Sequence, residues 1–348
     1  MAGTEVLNYI GGAWSRPLSG AGLEVINPAS GERLTVSPAG DAAEVEAAVQ
    51  AAAAAFPEWR AVPPAERIQY LFRFKQSLED HFEEIARLIV TENGKTLAEA
   101  RGELRRGVEN VEVACGIPIL MQGYNLEDVA RGIDELMFRQ PLGVVAAITP
   151  FNFPAMIPLW FLPYAIACGN TFILKPSDRV PLAVSRIVEL LAETGLPAGV
   201  VNVVNGGKSA VDALLDHPQV QAISFVGSTP VARYIYARGS ANGKRVQCQG
   251  GAKNHVVVLP DADPETTTQI IADSAYGCAG QRCLAVSVAV TVGDAQQWFR
   301  DAITRTAAGM KIGDGLSAGV QMGPVISQAS RQRIEALITA GAAQGATV

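Results

Sequence analysis

Apolar and polar positions follow two rhythms along this chain, and the change between them falls near Leu142. Before it the spacing is mostly helical. Asp41, with Glu44 three residues on, forms a capping box, and the Ala-rich run to Phe56 continues that helix. A second helix starts near Pro64, carries Ile68, Leu71, Phe72 and Phe74, and is expected to run to Val90 before Gly94 stops it. Residues 97–115 are helical again, with charges on one side, until Gly116-Ile117-Pro118 interrupts. Asn8 to Trp14, with Gly11-Gly12, predicts a short strand and turn, and Asn27-Pro28 with Gly31-Glu32 predicts another turn. Residues 129–139 read as a hairpin excursion.

After Leu142, short apolar β-rich runs at 144–148, 171–174, 200–204, 222–226 and 246–248 alternate with helical runs at 183–193, 210–215 and 231–238. Alternation of that kind, with strands apolar throughout, predicts a parallel sheet covered on both faces. A second α/β region follows, with strands at 256–259 and 286–292 and helices at 264–278 and 295–308. A last helix at 331–342 leads to residues 345–348, which read as the approach to a further strand, so the second region is expected to be incomplete.

Composition narrows the class. Hydrophobic residues make up 49% and charged residues 18%, which favours a large buried core over disorder. A formal charge of −6 supplies no general basic field for nucleic acid or anionic lipid, although local basic groups could hold a phosphate. Residues 140–174 carry no charge until Lys175, a length that could suggest a membrane span. Pro141, Pro150, Pro154, Pro158 and Pro163 interrupt it, so strand, loop and buried helix are expected instead. The first residues lack the marks of a signal or transit peptide. The five cysteines are odd in number and irregularly spaced, which fits reduced thiols in a cytoplasmic or matrix-like compartment. His81, His217 and His255 are isolated, so neither a metal site nor a Cys–His dyad is expected.

Two local patterns carry candidate chemistry. Gly280-Gln281-Arg282-Cys283 lies between a helix and a strand. A neighbouring cation favours the thiolate, the reactive form of cysteine, so Cys283 is a candidate nucleophile. The alternative is a buried structural cysteine, the reading kept for Cys115, Cys168, Cys248 and Cys278. Ile148-Thr149-Pro150-Phe151-Asn152-Phe153-Pro154 follows an apolar strand, and its prolines hold Asn152 in place. A rigid amide NH₂ can donate to an oxyanion, or the asparagine can simply serve a turn; the local pattern leaves both open.

Thr149 to Pro154, Lys175-Pro176-Ser177, Phe225-Val226-Gly227-Ser228-Thr229, Gly251-Ala252-Lys253-Asn254 and Gly280 to Cys283 occur together in the order of one family. In this the chain resembles the aldehyde dehydrogenases, over essentially its whole length. The resemblance implies an α/β fold in which a Rossmann-type cofactor domain, at 1–122 and 142–252, is joined to an α/β catalytic domain at 253–348, with an oligomerisation hairpin at 123–141. It implies that Cys283 attacks an aldehyde and that Asn152 and the Cys283 N–H hold the oxyanion. It places NAD at Thr149, Phe151, Lys175, Ser177, Asp178, Arg179, Gly227, Ser228 and Gly250. There is no G-x-G-x-x-G after the first strand of the sheet; Gly227-Ser228-Thr229, at a strand-to-helix junction, suits a pyrophosphate instead. A carboxylate at Asp178 favours NAD over NADP, although the family more often has the longer glutamate there.

Within that family the resemblance is to the CoA-acylating methylmalonate-semialdehyde dehydrogenase branch. Hydrolytic relatives carry a glutamate that activates water; the corresponding residue here looks like Gln249, an amide that is no base at neutral pH. Arg106 and Arg282 suit an aldehyde bearing a carboxylate, since guanidinium binds carboxylate bidentately. The implied reaction turns malonate or methylmalonate semialdehyde, NAD and CoA into acetyl-CoA or propionyl-CoA and CO₂, in a homo-oligomer. Two alternatives stand beside it: a hydrolytic enzyme releasing a free acid, and an inactive relative with a binding role.

Overall fold

Five strands pair in parallel in the order Arg245–Gly250, Val220–Gly227, Val144–Ile148, Thr171–Lys175 and Val201–Val203. The computed structural model describes residues 5–16 and 22–348. The sheet lies in the first of two compact units, which comprises Met1–Val25, Thr35–Ala86 and Arg101–Gly250. The chain starts this parallel set at its centre, runs outward through Thr171–Lys175 and Val201–Val203, then returns to the other side of Val144–Ile148. The order reverses there, and in open α/β sheets ligands bind beyond the carboxyl ends of the strands at such a point.

The strand period of two assigns the faces. Val144, Ala146, Ile148, Ile173, Ile223 and Phe225 join a buried cluster with Val45, Ala48, Val49 and Ala52 of the helix Ala42–Ala61 and Leu214 and Leu215 of the helix Lys208–Asp216. The capping box is present: Asp41 accepts from Ala43 N–H (2.8 Å) and Glu44 from Asp41 N–H (2.9 Å). On the opposite face, Val145, Phe172, Ala222 and Ser224 look toward the helix Met156–Ala167. The uncharged stretch is therefore strand, loop, helix and strand, and no helix among the described residues is long and apolar enough to cross a membrane.

The strand and turn expected from Asn8 to Trp14 are present, and three departures from the expected elements have local causes. The sheet gains an antiparallel edge, Asn8–Ile10 with Ala13–Ser15, closed by Gly11 and Gly12 at φ 60° and 83°. Such a two-residue turn needs left-handed backbone, and a Cβ on Gly12 would come within 2.8 Å of the Ala198 Cβ. The helix expected from Pro64 to Val90 is two, Pro64–Asp80 and Phe82–Asn93. It breaks where the His81 ring Nδ1 lies 2.9 Å from the Ser77 carbonyl, a side-chain contact that competes with the backbone ladder. The helix expected at 264–278 is Pro264–Tyr276, and it ends before Cys278 because Cys278 and Ala279 sit at φ 50° and 54°. Finally, Gly22–Ile26 and Arg33–Pro38 form strands around what the sequence showed only as a turn.

The hairpin is present as Asn125–Ala130 and Ile133–Leu136, with every residue of both strands exposed. The second unit comprises Ile26–Leu34, Arg87–Ala100 and Gly251–Val348. In it the strands Asn254–Val258 and Val286–Thr291 pair in parallel under the helices Pro264–Tyr276 and Ala295–Gly309. Val258, Ile271, Ala295 and Phe299 make its core.

Candidate active site

In the first unit, the proposed cofactor residues collect at the carboxyl ends of four parallel strands. Thr149 follows Val144–Ile148, and its N–H donates to the Lys175 carbonyl at 3.1 Å. Lys175 ends the next strand, with Pro176, Ser177, Asp178 and Arg179 beyond it. Gly227 and Gly250 end two strands and face each other in register. A Cβ on Gly250 would come within 2.7 Å of the Ala232 Cβ, and glycine is what lets this strand end pack so close to the helix Thr229–Ala241. Ser228 precedes that helix and makes no capping hydrogen bond with its side chain. First-turn N–H groups without a capping side chain are able to receive an anion.

Two observations make these residues fit a dinucleotide. The Thr149 Oγ1 is buried and has no hydrogen-bond partner. Lys175 is buried at the strand end, where burial pushes its ammonium below its ordinary value and Asp178 partly offsets that. A buried hydroxyl and a buried cation opening on one edge are groups that a polar ligand would satisfy.

Asn152 and Phe151 lie half-buried in the loop that follows Thr149. The helix after this loop begins with no cap of its own, and its first N–H groups reach a carboxylate from elsewhere. Glu103, buried in the helix Leu97–Cys115, accepts from Ala155 N–H at 2.8 Å and from Met156 N–H at 3.2 Å. A buried carboxylate at a helix N-terminus is held by the dipole as well as by the hydrogen bonds. Glu103→Ala would orphan two buried N–H groups and is expected to cost about 2–4 kcal/mol of unfolding free energy. Denaturant unfolding checks this, and a loss below about 1 kcal/mol would show that Glu103 does not support the loop.

Arg106 lies on the same helix and lines a cavity of about 640 Å³ with Gly102, Arg105, Glu109, Asn110, Met156 and Trp160. Asn110 and Trp160 also line a second cavity, of about 430 Å³, whose wall includes Gln249. The two adjacent arginines differ. Arg105 is committed to a bidentate pair with Glu79, at 2.6 and 2.8 Å, and stacks over Phe82. Arg106 is the exposed cation left to face the cavity.

In the second unit, Cys283 is the only exposed thiol of the five. Burial raises the thiols of Cys168, Cys248 and Cys278 and pushes Cys115 up to about 11, which leaves all four poor nucleophiles. The turn before Cys283 is strained, since two successive non-glycine residues in left-handed backbone cost about 1–2 kcal/mol each. Asn254 pins the far side of the nucleophile: its Nδ2 donates to the carbonyls of Cys283 and Ala285, both at 2.9 Å. Arg282 is half-buried rather than free. Its Nη2 donates to Glu99 at 2.9 Å and its Nε to the Cys278 sulfur at 3.3 Å.

Glu99, Glu103, Asn254 and Trp160 had no role assigned from the sequence. A signal existed for Glu103. It lies between Ala100 and Leu104 on the buried face of its helix, and a charge there calls for a partner. Among the described residues there is no cluster of His, Cys, Asp or Glu able to hold a metal ion.

Known proteins share this fold. A model of the aldehyde dehydrogenase family matches residues 14–348. Malonate-semialdehyde dehydrogenase 2 of Geobacillus thermodenitrificans is 50% identical over 347 residues, covering 99% of this chain and 72% of that protein. The crystal structure of a methylmalonate-semialdehyde dehydrogenase from Oceanimonas doudoroffii superposes with a TM-score of 0.96 at 48% identity, over 99% of this chain and 71% of that one. A provisionally assigned methylmalonate-semialdehyde dehydrogenase from Sinorhizobium meliloti 1021, crystallised with NAD, gives the same TM-score at 45% identity, over 100% of this chain and 71% of that one.

Proposed function

The chain belongs to the aldehyde dehydrogenase family, and from there we propose that it oxidises malonate or methylmalonate semialdehyde with NAD and passes the acyl group from Cys283 to CoA. The names of its relatives support the substrate class. The observation that carries the CoA step is Gln249, an amide on the cavity wall where hydrolytic members of the family place a carboxylate.

The chemistry follows from the groups present. The Cys283 thiolate adds to the aldehyde carbon, a C–S bond forms, and the carbonyl electron pair moves to oxygen. Asn152 and the Cys283 N–H are assigned to that oxyanion, which they stabilise most as charge develops. Bound NAD supplies the acceptor for the hydride that the collapsing oxyanion expels. A thioester then remains on Cys283. Gln249 cannot take a proton from water, so the thioester persists until a thiol attacks it. The CoA thiolate adds to the acyl carbon, and Cys283 leaves as thiolate, ready for another cycle. Loss of CO₂ from the β-carboxy thioester is favoured because its electrons pass into an enolate, which takes a proton from solvent at carbon to give the acetyl or propionyl thioester.

Thr149, Phe151, Lys175, Ser177, Asp178, Arg179, Gly227, Ser228 and Gly250 are assigned to the cofactor. Arg106 is assigned to the substrate carboxylate. Arg282 is also assigned to substrate binding, with its Nε and Nη2 engaged by Cys278 and Glu99. Incubation of the protein with malonate semialdehyde and NAD, with and without CoA, tests the reading by product analysis. Acetyl-CoA formed only when CoA is present is the expected result. Free acid formed at the same rate with or without CoA would refute it.

A further inference from the structure

The turn that presents Cys283 is tied to one carboxylate remote in sequence. Glu99 uses its two oxygens for different tasks. Its Oε2 accepts from Thr96 N–H at 2.9 Å, while Thr96 Oγ1 accepts from Glu99 N–H at 3.3 Å, closing the start of the helix Leu97–Cys115. Its Oε1 accepts from Cys278 N–H at 2.7 Å and from Arg282 Nη2 at 2.9 Å. The carboxylate therefore grips both ends of the strained stretch, Cys278 by its backbone and Arg282 by its side chain, one residue before the nucleophile.

The grip is anchored and shaped. Leu97 N–H donates to the Gly315 carbonyl at 3.1 Å, which fixes the segment carrying Glu99. Gln281 ties the turn a second time. Its Nε2 donates to the Cys278 carbonyl at 3.1 Å, and its Oε1 accepts from Ile326 N–H at 3.0 Å. Gly277 leaves room for the guanidinium: a Cβ there would lie 2.5 Å from Arg282 Cζ and 2.6 Å from its Nη1. Glu99 is only 13% exposed, so little solvent competes for these bonds.

The geometry points to Glu99 as a positioning residue for Cys283, one that fixes the Arg282 guanidinium and the left-handed turn so that the thiol is held in its reactive orientation. This rests on Cys283 being the nucleophile. Two variants disturb the grip from opposite sides. Glu99→Ala removes the carboxylate, whereas Gly277→Ala keeps Glu99 and puts a methyl group where the guanidinium lies. Glu99→Gln keeps an oxygen that can accept both bonds.

The test measures kcat and KM with propanal, which has no carboxylate to involve Arg282 in substrate binding, and the rate of Cys283 alkylation by iodoacetamide, read by peptide mass. In Glu99→Ala and Gly277→Ala, kcat and the alkylation rate should each fall about 10-fold or more, the scale of a small misplacement at a reacting group. KM for propanal should stay within about twofold, and Glu99→Gln should recover most of the lost rate. If Glu99→Ala does not fold, Gly277→Ala decides alone. Wild-type alkylation and kcat in either folded variant would overturn the assignment, as would a Glu99→Gln protein no better than Glu99→Ala. A Cys283→Ala protein with intact turnover would instead sink the nucleophile itself, and alkylation rates would still report on the grip.

Discussion

Cys283→Ala is expected to lower NADH formation from malonate semialdehyde by about 10³-fold or more, the usual order for deleting a covalent nucleophile. The expectation comes from contrast among thiols. The other four are buried or half-buried, and burial pushes each toward the neutral form. Cys283 alone is exposed, at the end of a turn fixed by Asn254 and Glu99. Cofactor binding should survive the substitution, because the residues assigned to NAD lie at the sheet edge of the other unit. NAD titration of the variant, followed by fluorescence or calorimetry, separates lost chemistry from lost binding. Turnover within about tenfold of wild type would remove Cys283 from the mechanism.

Arg106→Leu should raise KM for malonate semialdehyde about 10- to 100-fold and leave propanal nearly unaffected. The estimate is a charge-assisted hydrogen bond of about 1.5–3 kcal/mol, with 1.4 kcal/mol per factor of ten. Arg105→Leu is the control. That guanidinium is already bound by Glu79, so its loss should touch stability before substrate affinity. Equal losses on both aldehydes in Arg106→Leu would show that the cavity arginine supports the fold rather than reading a carboxylate.

Much of the architecture was legible because it depends on local periodicity. The runs 144–148 and 171–174 have no polar break, and such strands must be covered on both faces. The Gly227-Ser228-Thr229 junction could be read as strand end and helix start, and it is one. The Asp41–Glu44 capping box is likewise contained in four residues. What could not be read depends on partners far along the chain. Glu103 is satisfied by N–H groups 52 and 53 residues away, and Glu99 by one 179 residues away. On a helix with Glu99, Glu103, Glu109 and Glu112, sequence alone makes every acid look like part of a solvated face. The same reasoning explains Arg282. Its neighbour Cys283 suggested a cation facing substrate, and only the fold shows that the guanidinium first has to cross Gly277 and meet Glu99. The end of the helix Pro264–Tyr276 escaped notice for a different reason. Cys278 and Ala279 have no intrinsic preference for left-handed backbone, so nothing local announces the turn that the surrounding hydrogen bonds impose.

Whether Cys283 becomes acylated can be read from the protein itself. Mixed with malonate semialdehyde and NAD in the absence of CoA, then quenched in acid and digested, the peptide containing Cys283 should carry an acyl group that is lost when CoA is added before quenching. A Cys283 peptide that stays unmodified while NADH accumulates would contradict the thioester and the mechanism built on it.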